Sequence, residues 1–247
     1  MIREASDAFR WHGCEATMTE IVRFDLDFER TFAVPVFSLV GQTPQLLEAF
    51  HAALSPHAPV PLAGLQALGG SAMAEVGARV NLFDGLAICD VKPDQYSWRF
   101  RGLKAHNAEL AETLIVESER TILGVLGNVP ITTTSLKTPI WAKVDGGRDR
   151  FRAFLRDNVS APALAFSHGL GAVMTEGLVG GTAEDPEKGW TYRFRFEVSV
   201  LEYADLFCFI EANYRHPSLM DRIEAIKRHH ENAVRVLFES AGFSLPV

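Results

Sequence analysis

The chain has 247 residues, 47% of them hydrophobic, and a formal net charge of -7. That much apolar content over that length supplies a proper core for one large domain or two ordinary ones and excludes a disordered or fibrous chain. Neither half carries the basic excess of a nucleic-acid or anionic-membrane surface, and no apolar run approaches the roughly 20 residues that span a bilayer.

Residues 1–18 show no hydrophobic period and read as an arm, and Met1 to Arg10 lacks the apolar stretch of a secretory leader. Val22, Phe24, Leu26 and Phe28 then alternate with Arg23, Asp25 and Asp27, the period of two that a strand with one buried face requires. Thr31 to Val40 reads as a second strand, placed at an edge or bulged because Pro35 has no N–H to give. Thr43 and Pro44 fit the N-cap and first position of a short helix through Leu46, Leu47, Phe50 and Leu54. A glycine-rich passage, Gly64 to Gly70, leads to three further strands: Met73 to Phe83, Leu86 to Val91 and Gln95 to Arg101. Asp84-Gly85 is a two-residue turn signal, and Lys92-Pro93-Asp94 marks a second turn. Asn107 then caps a helix carrying Leu110, Ala111, Leu114, Ile115, Ile122 and Leu126, with Gly127 as its stop.

After Asn128 to Pro130 the order begins again. Ile131 to Val144 gives strand material broken near Lys137 to Pro139, Arg148 to Val159 a short helix, Ala172 to Val179 a strand, and Gly180 to Gly189 a polar loop. Trp190 to Val200 holds the cleanest strand pattern of the chain: Trp190, Tyr192, Phe194, Phe196 and Val198 alternate with Thr191, Arg193, Arg195 and Glu197. Tyr203 to Tyr214 contains a continuous apolar run, as a central strand covered on both faces would, and pairs with its predecessor as a hairpin. Ser218 as N-cap and Asp221 in the first turn open a long amphipathic helix with Ile223, Ile226, Val234 and Leu237 on one face and Gly242 at its end.

Strands outnumber helices and are joined by short turns, which favours antiparallel pairing. The expected fold is α+β: mainly antiparallel sheet, with long helices packed on one face. Two tandem units of order β-β-α-β-β-β-α, residues 19–127 and 131–247, are expected, an internal duplication in element order with little residue identity.

Candidate chemistry is sparse. His12-Gly13-Cys14-Glu15 groups three ligand types, but a closed metal site needs about four ligands and no second Cys/His pair exists, so no metal is expected. His229 and His230 are adjacent on a helix and point about 100° apart. Cys14, Cys89 and Cys208 are far apart without C-x-x-C, which fits a reducing cytoplasm. His106 and His216 each precede a long helix, equivalent places in the two halves. Ser167 and His168, among glycines, combine a hydroxyl and an imidazole but follow neither the nucleophile-elbow nor the phosphate-loop pattern. Arg193 and Arg195, beside Glu197, project from the polar face of the aromatic strand and could meet an anionic ligand.

No catalytic residue and no cofactor is assigned. The first reading is a non-catalytic binding or assembly module acting through protein–protein contacts, self-association included. The second is a small-ligand-binding protein or enzyme with an apolar pocket between the sheet and its long helix, and its candidate contacts are Arg193, Arg195, Glu197, His168, Ser167 and His216.

Overall fold

The computed structural model describes residues 17–72, 75–158, 178–215 and 223–245. The first half runs β1 (Thr17–Phe32), α1 (Leu39–Leu54), β2 (Leu65–Leu68), β3 (Gly77–Leu82), β4 (Ala87–Val91), β5 (Gln95–Leu103) and α2 (Ala108–Leu126). The second half runs β6 (Ile131–Val144), α3 (Gly147–Asp157), β7 (Val179–Asp185), β8 (Trp190–Val198), β9 (Leu206–Tyr214), α4 (Ile223–Ser240) and β10 (Phe243–Ser244).

All ten strands join one sheet in the order β2-β3-β4-β5-β1-β6-β9-β8-β7, with β10 added in parallel to the start of β1 and every other pair antiparallel. The fold is α+β, and the helices lie on one face, where Val80, Cys89, Trp98, Phe28, Ile140, Cys208 and Phe196 form a continuous core. The two halves meet along β1 and β6, the longest strands at 16 and 14 residues. Outward from that seam the order is β5, β4, β3, β2 on one side and β9, β8, β7 on the other.

Each half has a helix directly after its first strand, so the first half runs β-α-β-β-β-β-α. Thr31 to Val40 is not a separate strand: β1 ends at Phe32, and the chain turns into α1 at Leu39. Thr43 is not a cap. Its hydroxyl donates to the carbonyl of Leu39, 2.8 Å away, from within the helix. Pro44 is the sixth residue of α1, past the four positions whose N–H groups lack a helical partner, so it takes one donor from the helix that the rest of α1 tolerates. Leu65–Leu68, in the glycine-rich passage, is an edge strand, and β7 occupies part of the Gly180 to Gly189 stretch expected to be loop. The β3–β4 connection runs from Phe83 to Leu86 rather than through Asp84-Gly85 alone, with Phe83, Asp84 and Gly85 all left-handed at φ 53, 55 and 91°.

Three departures from regular pairing lie at the seam, one of them a register shift between Thr31 and Phe32. The register between β1 and β6 shifts between Ile21 and Arg23, so Ile21, and not Val22, shares the helix-covered face with Phe24. Farther along, the ladder skips Asp25 and Leu26 without a change of register, from Phe24↔Ile140 to Asp27↔Lys137. Pro139 lies in that gap, so its missing N–H does not stop β6, which runs unbroken where the sequence suggests an interruption.

Among the described residues no helix is long and apolar enough to cross a membrane. Residues 1–16 and the sequence around Ser218 and Asp221 lie outside the described residues.

Candidate functional site

Helices α2 and α4 lie over the β1–β6 seam, and between them and the sheet is a cavity of about 300 Å³ that is partly open to solvent. Its walls come from both halves in matched pairs. On the helices Ala108 of α2 answers to Ile223 of α4, and Ala111 to Ile226. The same spacing of 115 residues links Glu112 to Lys227 and Ile115 to His230. On the strands Phe24, Leu26 and Phe28 answer to Leu136, Thr138 and Ile140, again at one constant spacing.

Besides the charged Glu112, Lys227 and Glu231, the lining is polar at one place. Thr138 Oγ1 and His230 Nε2 share a buried hydrogen bond of 2.9 Å, whereas their counterparts Leu26 and Ile115 carry no polar atom. His230 Nδ1 is buried with no hydrogen-bond partner. Burial, and then the neighbouring His229, depress the His230 pKa to about 4, so its ring is neutral at physiological pH. Lys227 bonds Glu112 at 2.5 Å and lies 3.8 Å from Glu231. These side chains keep a quarter or more of their surface in water, so the pair bridges α2 and α4 at the cavity margin.

His229, one residue earlier, points elsewhere. Its Nδ1 is 2.9 Å from Tyr192 Oη, which lies 2.5 Å from Tyr214 Oη. Desolvation pushes the Tyr192 hydroxyl up to about 12 and raises Tyr214 further, so both phenols stay protonated. The Tyr192 ring also stacks on His230, with centroids 6.0 Å apart, and so joins this polar cluster to the cavity wall.

Arg193, Arg195 and Glu197 lie on the other face of the sheet, away from the cavity: they alternate along β8 with the buried Tyr192 and Phe196. That face carries a row of alternating sign across seven strands, Arg79, Asp90, Arg99, Asp27, Lys137, Glu211 and Arg193. Arg79 and Arg99 both bond Asp90, at 2.6 and 3.0 Å, and the row presents no field of one sign. Arg195 is 3.4 Å from Glu197 and lies over the rings of Phe207 and Phe209. With half its side chain in water, Arg195→Ala is expected to change the unfolding free energy by about 0.5 kcal/mol or less in urea titration. A loss above about 1.5 kcal/mol would mean a buried structural role.

Ser167, His168, His216 and Cys14 fall outside the described residues. His106 is exposed just ahead of α2. Cys89 and Cys208 are buried, and desolvation raises both thiols well above their ordinary range, as in inert core cysteines. Among the described residues no three His, Cys, Asp or Glu side chains are grouped as metal ligands.

Of the polar pair at the cavity, Thr138 was not singled out from sequence, and His230 was weighed only beside His229 as a metal ligand and set aside. The available signal was the spacing Ile223, Ile226, His230, Val234, which places a histidine on the apolar stripe of α4.

No family model and no curated protein matches the chain. Among solved structures it is similar to the Methanococcus jannaschii TBP, at 11% identity over 90% of this chain and 99% of that one. The TM-score of 0.27 is too low for that likeness to bear on fold or function.

Proposed function

We propose that the protein binds a small, mainly apolar molecule in the cavity between the β1–β6 seam and helices α2 and α4. The observation that carries this reading is the pocket itself: about 300 Å³ of mainly apolar space, partly open to solvent, against the buried core. Protein interiors are close-packed, and an apolar void of about 150 Å³ already stays dry and takes up benzene. Apolar walls that face water in such a pocket are covered when an apolar ligand enters, which favours binding. The matched lining from the two halves supports the further reading that 19–127 and 131–247 are repeated units, with the ligand held where they join.

Toluene is a suitable first probe. With isoleucine methyl groups labelled, it is expected to move the resonances of Ile115, Ile140 and Ile226, which line the cavity, and to leave Ile88 on the opposite face unmoved. Ala111→Phe, which fills the space from α2, is expected to abolish those shifts while the protein remains folded. Unmoved cavity methyls in the natural protein, or equal shifts in the variant, would defeat the proposal.

Association with a protein partner or a second copy is the other reading. It is favoured by an exposed apolar group at the entry to α1, where Val34, Phe37 and Val40 are 59, 62 and 46% exposed.

A further inference from the structure

We infer that the ligand is an amphiphile, an apolar body with one cationic group, which lies body inward and holds its cation at the pocket mouth against Glu231 of α4. The inference rests on the ligand-binding reading above and adds the ligand's chemistry.

The pocket is apolar in its depth and charged where it meets water. Ala111, Ile115, Ile140 and Ile226 line it and are 4% exposed or less. The charged lining residues, Glu112, Lys227 and Glu231, keep 25, 33 and 58% of their side chains in water. An apolar body is covered by going in, whereas a charged group would lose its hydration there and keeps it at the mouth.

The charges at the mouth do not cancel. Glu112 and Lys227 hold matched places in the two halves, 115 residues apart, and neutralise each other in a hydrogen bond of 2.5 Å. At the same spacing Glu231 answers to Val116, so no cation matches it. Lys227 lies 3.8 Å from Glu231, beyond hydrogen-bond reach, because its ammonium is drawn to Glu112. Lys227 stays protonated: the hydrogen bond to Glu112 raises its pKa, and the charges of Glu231 and of Glu109, one turn earlier on α2, add to that. Three carboxylates, Glu109, Glu112 and Glu231, therefore act on a single ammonium. The next cation of α4, Arg228, does not line the pocket, and its guanidinium bonds the Glu224 carbonyl.

A carboxylate accepts several hydrogen bonds, so a ligand ammonium can bond Glu231 and leave the bridge between Lys227 and Glu112 intact. A ligand carboxylate would instead meet Glu112 and Glu231 as like charges, beside a lysine whose charge is already balanced.

Three molecules with a phenyl ring on a three-carbon chain separate the possibilities: 3-phenylpropylamine, 3-phenylpropanol and 3-phenylpropionate, which are cationic, neutral and anionic at pH 7. At low ionic strength the amine is expected to bind about twofold to fivefold more tightly than the alcohol, the worth of one exposed ion pair, and the propionate more weakly than either. The chain's net charge of -7 attracts any cation, so the deciding comparison is between Glu231→Gln and Glu184→Gln, which change that total equally. Glu184 is exposed on the edge strand β7. In Glu231→Gln the ratio of amine to alcohol affinity is expected to fall to about one, with alcohol affinity within about twofold of the natural protein's, and in Glu184→Gln the ratio is expected to stay. With glutamate carboxyl groups labelled with carbon-13, the amine is expected to move the Glu231 resonance and the alcohol to leave it unmoved, a readout in the natural protein itself. An undiminished ratio in Glu231→Gln together with an unmoved Glu231 carboxyl would overturn the inference and leave the ligand-binding reading standing. So would an equal fall in Glu184→Gln, or the propionate binding most tightly. Failure of both the alcohol and toluene to bind would instead defeat the ligand-binding reading.

Discussion

Phe196→Ala is expected to lower the unfolding free energy by about 3–5 kcal/mol, a large share of the roughly 5–15 kcal/mol that holds a domain together. The ring is 1% exposed and stands where three elements converge. Its centroid is 5.4 Å from Phe238 of α4, 6.4 Å from Phe154 of α3 and 6.2 Å from Phe243 of β10. Truncation removes the ring's own burial and leaves a void that three elements cannot close together, because each is also fixed to another part of the sheet. Urea unfolding at neutral pH is the measurement. Phe194→Ala, at a half-buried position on the same strand face, is expected to cost clearly less. A loss under about 1 kcal/mol for Phe196→Ala would mean that the aromatic cluster is not packed as described.

Acidification supplies the second large effect. His230 is neutral in the folded protein down to about pH 4, whereas an unfolded histidine takes its proton near pH 6.5. Between those values the unfolded chain binds the extra proton, so stability falls as pH falls from about 6.5 to 4 and this contribution is constant below. The full difference is about 3 kcal/mol. Part of any acid loss comes from carboxylates, and part from His229, whose pKa is lowered by desolvation and then by Lys188. Those groups remain in His230→Phe. Urea unfolding of both proteins at intervals from pH 7.5 to 4 is therefore expected to show the natural protein losing about 3 kcal/mol more than the variant, mostly below pH 6.5. Parallel pH profiles would show that the ring is hydrated in the folded state.

The parts of the fold set by short-range pattern were legible in the sequence. β8 follows its alternation from Trp190 to Val198, β9 its apolar run, and α2 the stripe between Asn107 and Gly127. Prolines misled in both directions. Pro35 suggested an edge strand where the chain has already left the sheet, and Pro139 suggested a break where a gap in the ladder to β1 absorbs the missing donor. Neither outcome is encoded near the proline; each depends on what the neighbouring strand does there.

A pocket between the sheet and the long helix was the second reading of the sequence, but the residues of its wall were hidden for a related reason. Leu26, Ile115, Thr138 and His230 are far apart in the chain, and only the antiparallel seam with α2 and α4 above it brings them to one wall. Arg193, Arg195 and Glu197 were correctly placed on the polar side of β8. Which side of the sheet encloses a space depends on where the helices lie, and alternation along a strand does not report that.

The pairing of β1 with β6 also bears on whether the halves could exist apart. Each of these strands has its own half on one side and the other half on its second side. A chain divided in the connection between α2 and β6 would give two fragments, each with a long unsatisfied ladder at what had been its middle. Such an edge recruits any strand that fits. The fragments would then re-form the native pair or, at higher concentration, each would join a second copy of itself through the strand that now faces its sister.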